Sequence, residues 1–416
     1  MSQNPTTAHD EAAVFKKVSW RLMPFLILVF MLSYLDRVNI GYAKLQFSAE
    51  LGFSDTVFGI GAGIFFLGYF LFEVPSNLLL KKIGARLTIA RIMVLWGTLS
   101  TAMLLVRTEG AFYVLRFLLG AAEAGLVPGV LLYLTYWFPA QRRARTTALF
   151  MVAIPISGFI GAPLSGAIMQ AFHDTAGLRG WQWMFLIEGV PSIMVGVWAA
   201  WYLDDGPERA NWLDAGERQL IRQRLAHEAQ AAREAGGQHS FWAACASRRF
   251  WVLTAIYFCS VLGVTGLAFW LPQIIKDLGV TNLALNGRIT ALPYIAAAAG
   301  MLLVSRSSDR SGERRWHYAA SALACAGGLV GAGLSMASPT LAVACLALAA
   351  AGVYSGLSVF WCMSTNYLQG AAAVAGIAVI NSFANLAGYV GPLTMGILRD
   401  RTHNPALGLY VIAAFL

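Results

Sequence analysis

Asp36 and Arg37 stand side by side in an otherwise apolar run that extends from Met23 to Ile40. A charge at the middle of a membrane span costs on the order of 2.5–3.5 kcal/mol even on the lenient insertion scale. An acid and a base retained together at that cost point to the handling of ions or charged solutes. Arg suits planar carboxylates, because its guanidinium can hold both oxygens at once. A second pair, Arg116 and Glu123, lies two helical turns apart and so shares one helix face. Arg37 and Arg116 are therefore candidates for binding a carboxylate, and Asp36 and Glu123 for carrying protons. Burial and a neighbouring Arg act on a carboxyl in opposite senses, so a group held between them can change protonation when substrate or water moves. The plainer alternatives are a helix-end anchor for Arg116 and structural hydrogen bonding for the carboxyls. Glu73 and Glu188 read as polar contacts between helices. Tyr34, Tyr69 and Tyr133 share faces or neighbours with this ionisable set and join the substrate-binding candidates.

These residues must be positioned by membrane helices. Only 12% of the 416 residues are charged and 58% are hydrophobic, whereas a soluble domain carries about 25% charged residues. A span needs roughly 20 apolar residues. Breaks at charges and at Gly/Pro clusters place spans near 21–42, 56–80, 87–106, 111–138, 144–172, 181–203, 250–275, 287–304, 316–336, 340–367, 371–398 and from 406 onward. The fold class is thus an all-α polytopic membrane protein with twelve helices, the last of which is expected to be incomplete. Three regions follow: a six-helix bundle over 1–203, a polar linker over 204–249, and a second six-helix bundle over 250–416. In the linker, Asp214 and Glu217 have capping-box spacing before an Ala/Arg/Glu/Gln-rich stretch, which predicts a surface helix on a tether. The net charge of +9 collects in short loops, including Lys16, Lys17, Lys81, Lys82, Arg142, Arg143, Arg145, Arg306 and Arg310. Lys and Arg so placed act as orientation signals, which puts both termini in the cytoplasm and does not suggest nucleic acid. Arg399 and Arg401 are an exception on the opposite side. The polar start of the chain predicts no cleavable signal peptide. The five cysteines show no CxxC or Cys-His spacing, so neither a disulfide framework nor a metal site is expected. No nucleophile–base pattern suggests an enzyme.

The second half differs from the first. Its spans seven, ten and eleven hold no midspan charge but offer Trp270, Tyr354, Trp361, Ser364, Asn366, Asn381, Ser382 and Asn385, which suit hydroxyl and ring recognition. Asn381 and Asn385 share a helix face. The halves are nevertheless related. Gly158, Gly161 and Gly166 recur about 230 residues later as Gly388, Gly391 and Gly396, and the Gly84–Arg86 turn recurs around Gly312. Parallel half-repeats place a binding site at the midplane between them and permit rocking alternation.

Asp309, Arg310, Gly312, Arg314 and Arg315 resemble the cytoplasmic loop signature of the major facilitator superfamily. The copy at Gly84 and Arg86 departs from it, with Lys81 where the signature has Asp. The stretches around Tyr34–Gly41, Gly68–Asn77, Arg116–Gly125 and Pro207–Leu213 resemble the anion:cation symporter branch, most of all its bacterial tartrate transporters. The resemblance covers essentially the whole chain. It implies a proton-coupled symporter that imports a small organic anion (a tartrate-like hydroxy-diacid, a sugar acid or an aromatic carboxylate) across the bacterial inner membrane by alternating access. The coupling ion is the proton, no cofactor is implied, and the protein is expected to work as a monomer in the lipid bilayer. The resemblance assigns proton coupling to Asp36 and Glu123. It also implies substrate contact by an aromatic of span ten, here Trp361, and by a polar residue of span eleven, here Asn381 or Asn385. The competing expectations are an exporter or exchanger of the same fold and a non-transporting membrane receptor.

Overall fold

The computed structural model describes residues 11–139, 142, 143, 146, 150, 153–234, 247–367 and 371–416. Most of the predicted start of span five, Arg145, Cys245 and part of the linker lie outside these residues, as do the side chains of Lys81 and Asn366. Among the described residues there are fourteen α-helices and no β-strand. They are α1 Glu11–Leu51, α2 Asp55–Ile83, α3 Ala85–Ala102, α4 Glu109–Glu123, α5 Leu126–Thr135, α6 Ala153–Ala171, α7 Gly180–Tyr202, α8 Ala215–Glu234, α9 Arg248–Asp277, α10 Leu283–Ser311, α11 Arg315–Leu334, α12 Pro339–Tyr367, α13 Ala371–Thr402 and α14 Pro405–Phe415. Ten spans among the described residues are long and apolar enough to cross a membrane, with α4 and α5 forming one of them. With α13 and the 11-residue α14, they make the twelve-helix arrangement expected from the sequence.

Two elements differ from the sequence reading in ways that matter for function. Helix α1 is 41 residues long, about 60 Å at 1.5 Å per residue, so it projects beyond a hydrocarbon core of about 30 Å. The predicted single span over 111–138 is broken between α4 and α5. Gly125 adopts φ 88°, a left-handed conformation open to glycine at no steric cost. Glu123 is therefore the last residue of α4, set at a bend rather than inside a continuous helix.

The linker helix α8 starts where the capping box predicts. The Asp214 amide donates to Glu217 Oε2 at 2.9 Å and the Glu217 amide to Asp214 Oδ1 at 2.8 Å. The linker is more than a tether. Lys17 pairs with Glu217 at 2.7 Å and Arg143 with Glu228 at 2.8 Å, while Arg224 pairs with Glu11. Trp212 stacks on Trp137 at 5.6 Å, and Arg21 lies 6.0 Å from the Trp212 ring centre. These contacts hold the linker against the start of α1 and the end of α5.

Helices of the first half meet the second half along two related seams, α2 on α13 and α6 on α10, with α1 on α9 between them. Four of the six repeated glycines, Gly158, Gly166, Gly388 and Gly396, lie in these seams. A Cβ on Gly166 would overlap the Leu283 carbonyl, and one on Gly396 would overlap the Asp55 carbonyl. Side chains such as Leu71, Val74, Met194, Leu303 and Leu334 are exposed around the outside, as expected of a surface solvated by lipid.

At the end of the molecule remote from the linker, the seam is closed by charge. Lys44 of α1 meets Asp55 of α2 at 2.6 Å. Arg399 of α13 meets Asp55 at 3.0 Å and Asp277 of α9 at 2.7 Å. The Asp400 carboxylate accepts the backbone amides of Asp55 and Thr56 at 3.1 and 2.7 Å, capping the positive end of α2. Lys44 and Arg399 also sit 5.0 and 5.3 Å from the centre of the Trp270 ring. This network accounts for Arg399, which stood out as an exception to the charge pattern.

Candidate functional site

The site is built on the middle of α1, where successive residues face different neighbours. On a helix, adjacent side chains diverge by about 100°, and Asp36 and Arg37 use that divergence. Arg37 turns toward α4 and α2. Its Nη2 pairs with Glu123 Oε1, and Ser33, one turn earlier on α1, donates to the same oxygen at 2.6 Å. The guanidinium carbon lies 5.2 Å from the Phe65 ring centre and 5.5 Å from that of Tyr69, so two aromatic faces support its charge. The Arg37 side chain is 19% exposed and Glu123 is 2% exposed. The buried Nε of Arg37 has no partner among the described residues. A guanidinium that gives one arm to an internal carboxylate and keeps Nε unpaired can accept a second carboxylate.

Asp36 turns the other way, toward α3 and α7. It accepts Trp96 Nε1 at 2.5 Å, Ser100 Oγ at 2.9 Å and Ser192 Oγ at 2.9 Å. Asn39 links it to a second buried carboxyl. The Asn39 amide donates to Glu188 Oε2 at 3.0 Å and lies 3.4 Å from Asp36 Oδ1, and Ser165 donates to Glu188 at 2.7 Å. The acid and base that are neighbours in sequence thus belong to two constellations. Asp36 does not join Glu123 at the Arg37 guanidinium.

Arg116 departs from the expected carboxylate contact. It is 1% exposed, and its Nε and Nη2 donate to the Gly61 and Ala62 carbonyls of α2 at 3.1 and 3.3 Å. Its guanidinium lies 5.0 Å from Phe65. It clamps α4 to α2 and supplies positive field to the site from behind. Tyr133 also departs. Its hydroxyl donates to the Asp204 carbonyl at 2.6 Å, next to Trp137, so it anchors the linker rather than lining the site.

The remaining candidates converge. Tyr69 lies beside Arg37. Across the seam, the Tyr34 and Tyr354 hydroxyls are 2.7 Å apart, and the Tyr354 ring is 6.3 Å from that of Tyr294. Asn381 and Ser382 of α13 donate to the two oxygens of Glu73 at 3.2 Å each; Asn385 lies one turn further along the same helix. Trp361 packs edge-to-face on Tyr257 at 4.9 Å. The second half therefore contributes neutral donors and rings. Trp270 is not among them, since it is consumed by the charge network at the far end.

Ser33, Trp96, Ser100, Ser192 and Asn39 were not singled out from the sequence. Ser33 had a signal, its i−4 spacing from Arg37; Trp96, Ser100 and Ser192 had none, because they come from other helices. The loop motifs are also resolved. Gly84 has φ 86°, and the Arg86 amide donates to Asp205 Oδ1 at 3.1 Å. Where the first-half turn lacks the signature Asp, the start of the linker supplies a carboxylate. In the second half, Gly312 has φ 69°, Arg314 pairs with Asp309 at 2.6 Å and donates to Ser308 at 3.0 Å, and Arg310 is exposed.

Comparison with known proteins agrees with this architecture. The family model for the Major Facilitator Superfamily matches residues 26–393. The chain is 48% identical over 406 residues to a protein of Agrobacterium vitis named "Putative tartrate transporter", covering 98% of this chain and 93% of that one. It is 39% identical over 410 residues to a "Quinolone resistance transporter" of Acinetobacter baumannii, covering 97% and 92%. In fold it is similar to a bacterial homologue of the human lysosomal transporter Spinster, in an inward-facing and occupied conformation. That match has a TM-score of 0.77 at 15% identity and covers 100% of this chain and 95% of that one. A family model spanning most of the chain, together with a relative near half-identical over nearly its full length, establishes that this multi-pass membrane protein belongs to the Major Facilitator Superfamily, a family of transporters rather than enzymes.

Proposed function

We propose that the protein is a proton-coupled symporter of a small hydroxylated organic anion, working by alternating access in a bacterial inner membrane. The observation that carries this reading is the Arg37–Glu123 pair, with Ser33 on the same oxygen and Arg37 Nε unpaired. Glu123 occupies the guanidinium as a substrate carboxylate would. A proton on Glu123 removes its charge and frees Arg37 for the substrate, and substrate departure lets the internal pair re-form. Proton and anion are thereby bound together and released together. Against an inside-negative potential, each elementary charge is worth about 2.3 kcal/mol per 100 mV, so accumulation of an anion requires such a partner. Asp36 is the second carboxyl of the proposed coupling set. Its donors join α1 to α3 and α7, so a proton placed there acts on helix packing rather than on Arg37 directly.

The Lys and Arg pattern supports cytoplasmic termini. The charge network around Asp55 then seals the outside, and the described arrangement corresponds to an inward-facing or occluded state. The tartrate name of the Agrobacterium relative supports a hydroxy-acid substrate. Export is the second reading, favoured by the resistance function in the name of the Acinetobacter relative. Purified protein in proteoliposomes, offered labelled hydroxy-diacids, sugar acids and aromatic acids with and without an inward pH gradient, decides between them. Symport predicts accumulation only with the gradient. Uptake that ignores the gradient refutes the coupling, and drug efflux without acid uptake refutes the substrate class.

A further inference from the structure

We propose that Tyr354 of the second half, acting with Tyr34, reads a hydroxyl on the carbon next to the substrate carboxylate, which makes the site selective for 2-hydroxy acids. This rests on the proposed role of Arg37 as carboxylate holder. Tyr34 precedes Arg37 by one helical turn on α1 and so shares its helix face, and a group held at Arg37 presents its next carbon toward Tyr34. The two phenol hydroxyls, 2.7 Å apart, sit on side chains 7% and 1% exposed. In such a pair one hydroxyl donates and the other accepts, which leaves one donor hydrogen without a partner among the described residues. A buried donor in that position can pair with an acceptor oxygen, and a substrate hydroxyl can accept from it while donating to the other phenol. The site is also built around it. A Cβ on Gly158 would overlap the Tyr294 ring, so that glycine makes room for the aromatic wall behind Tyr354. Because Tyr34 belongs to the first half and Tyr354 to the second, one substrate hydroxyl ties both halves together, and an acid without it leaves the phenols bonded only to each other.

The test uses the full-length protein in proteoliposomes with acids that differ only in hydroxyls, namely tartrate, malate and succinate, and sugar acids beside their 2-deoxy counterparts. The wild type takes the 2-hydroxy acid with the lower KM. Loss of one neutral hydrogen bond is worth roughly 0.5–1.5 kcal/mol, or about 2–10-fold, so Tyr354→Phe lowers the deoxy-to-hydroxy KM ratio by about that factor. The ratio is read within one preparation and is insensitive to the folded fraction. Tyr34→Phe gives the same collapse, and the double variant adds little, because the two hydroxyls act on one group. A ratio unchanged by Tyr354→Phe, or a wild type that does not discriminate, overturns this inference alone. Failure to take up any acid overturns it together with the reading of Arg37.

Discussion

Asp55 offers the clearest single perturbation, because its carboxylate joins both halves at the end remote from the linker. It meets Lys44 of its own half at 2.6 Å and Arg399 of the other at 3.0 Å. The three side chains are 24%, 4% and 11% exposed, between the surface and buried limits. Surface pairs contribute about 0–1 kcal/mol, and breaking a buried pair costs about 3–5 kcal/mol. Asp55→Asn removes the Asp55–Arg399 ion pair across the seam, while the bonds from the α2 amides to Asp400 remain, and it leaves Lys44 buried without its counter-charge only while the seam is closed. A cost of about 2 kcal/mol to the closed arrangement, roughly 30-fold in the closed-to-open ratio, follows from these limits. Spin labels on Ala49→Cys and Thr281→Cys, in a background with the native cysteines replaced, report the separation of the exposed far ends of α1 and the α9–α10 loop. The variant shifts the distance distribution toward a longer population that the parent lacks. Salt has a weaker effect than the substitution, since the pairs are partly buried. A distribution identical to that of the parent refutes the reasoning that this network holds the far end shut.

Three further outcomes follow from the packing. Gly396→Leu or Gly166→Leu places a side chain against a neighbouring backbone carbonyl, so either variant loses transport and shows a lowered thermal midpoint on detergent-solubilised protein. Asp36→Ala leaves Trp96 Nε1 and two seryl hydroxyls without their acceptor and costs about 1–3 kcal/mol for the fixed indole donor alone; Asp36→Asn, which keeps an acceptor oxygen, costs less, and a reversed order of melting temperatures contradicts the geometry. Trp212→Ala removes the stack on Trp137 and the bond to Asp204 at 2.9 Å, which makes the linker more susceptible to limited proteolysis while Arg37-dependent substrate binding persists.

Much of the architecture was legible because it rests on local pattern. Apolar runs of span length, the Asp214–Glu217 box and the repeated glycines are properties of short windows, and each corresponds to an element of the fold. The site was legible in part. Arg37, Glu123, Tyr34 and Tyr69 could be grouped by type and spacing, but a helix does not announce which way each side chain points. Asp36 and Arg37 looked like one unit and serve two, because adjacent residues on α1 face different helices. The bend after Glu123 was hidden because Gly125 sits in an apolar run that reads as unbroken. The contacts of Arg116 were hidden for a related reason. Its spacing from Glu123 was right, yet the carbonyls of Gly61 and Ala62, which take its donors, belong to another helix. The Lys44, Asp55, Asp277 and Arg399 network was out of reach, since its members are far apart in sequence and meet only when the halves pack.

The central claim is that Glu123 exchanges with the substrate carboxylate on Arg37 according to its protonation. The direct measurement is transport by Glu123→Gln in proteoliposomes, comparing pH-gradient-driven accumulation with exchange of labelled for unlabelled substrate at equal pH. A neutral side chain cannot carry the proton and no longer competes for the guanidinium with a full charge. The account predicts that accumulation is lost while exchange persists. Accumulation at the parental level, still driven by the gradient, contradicts it.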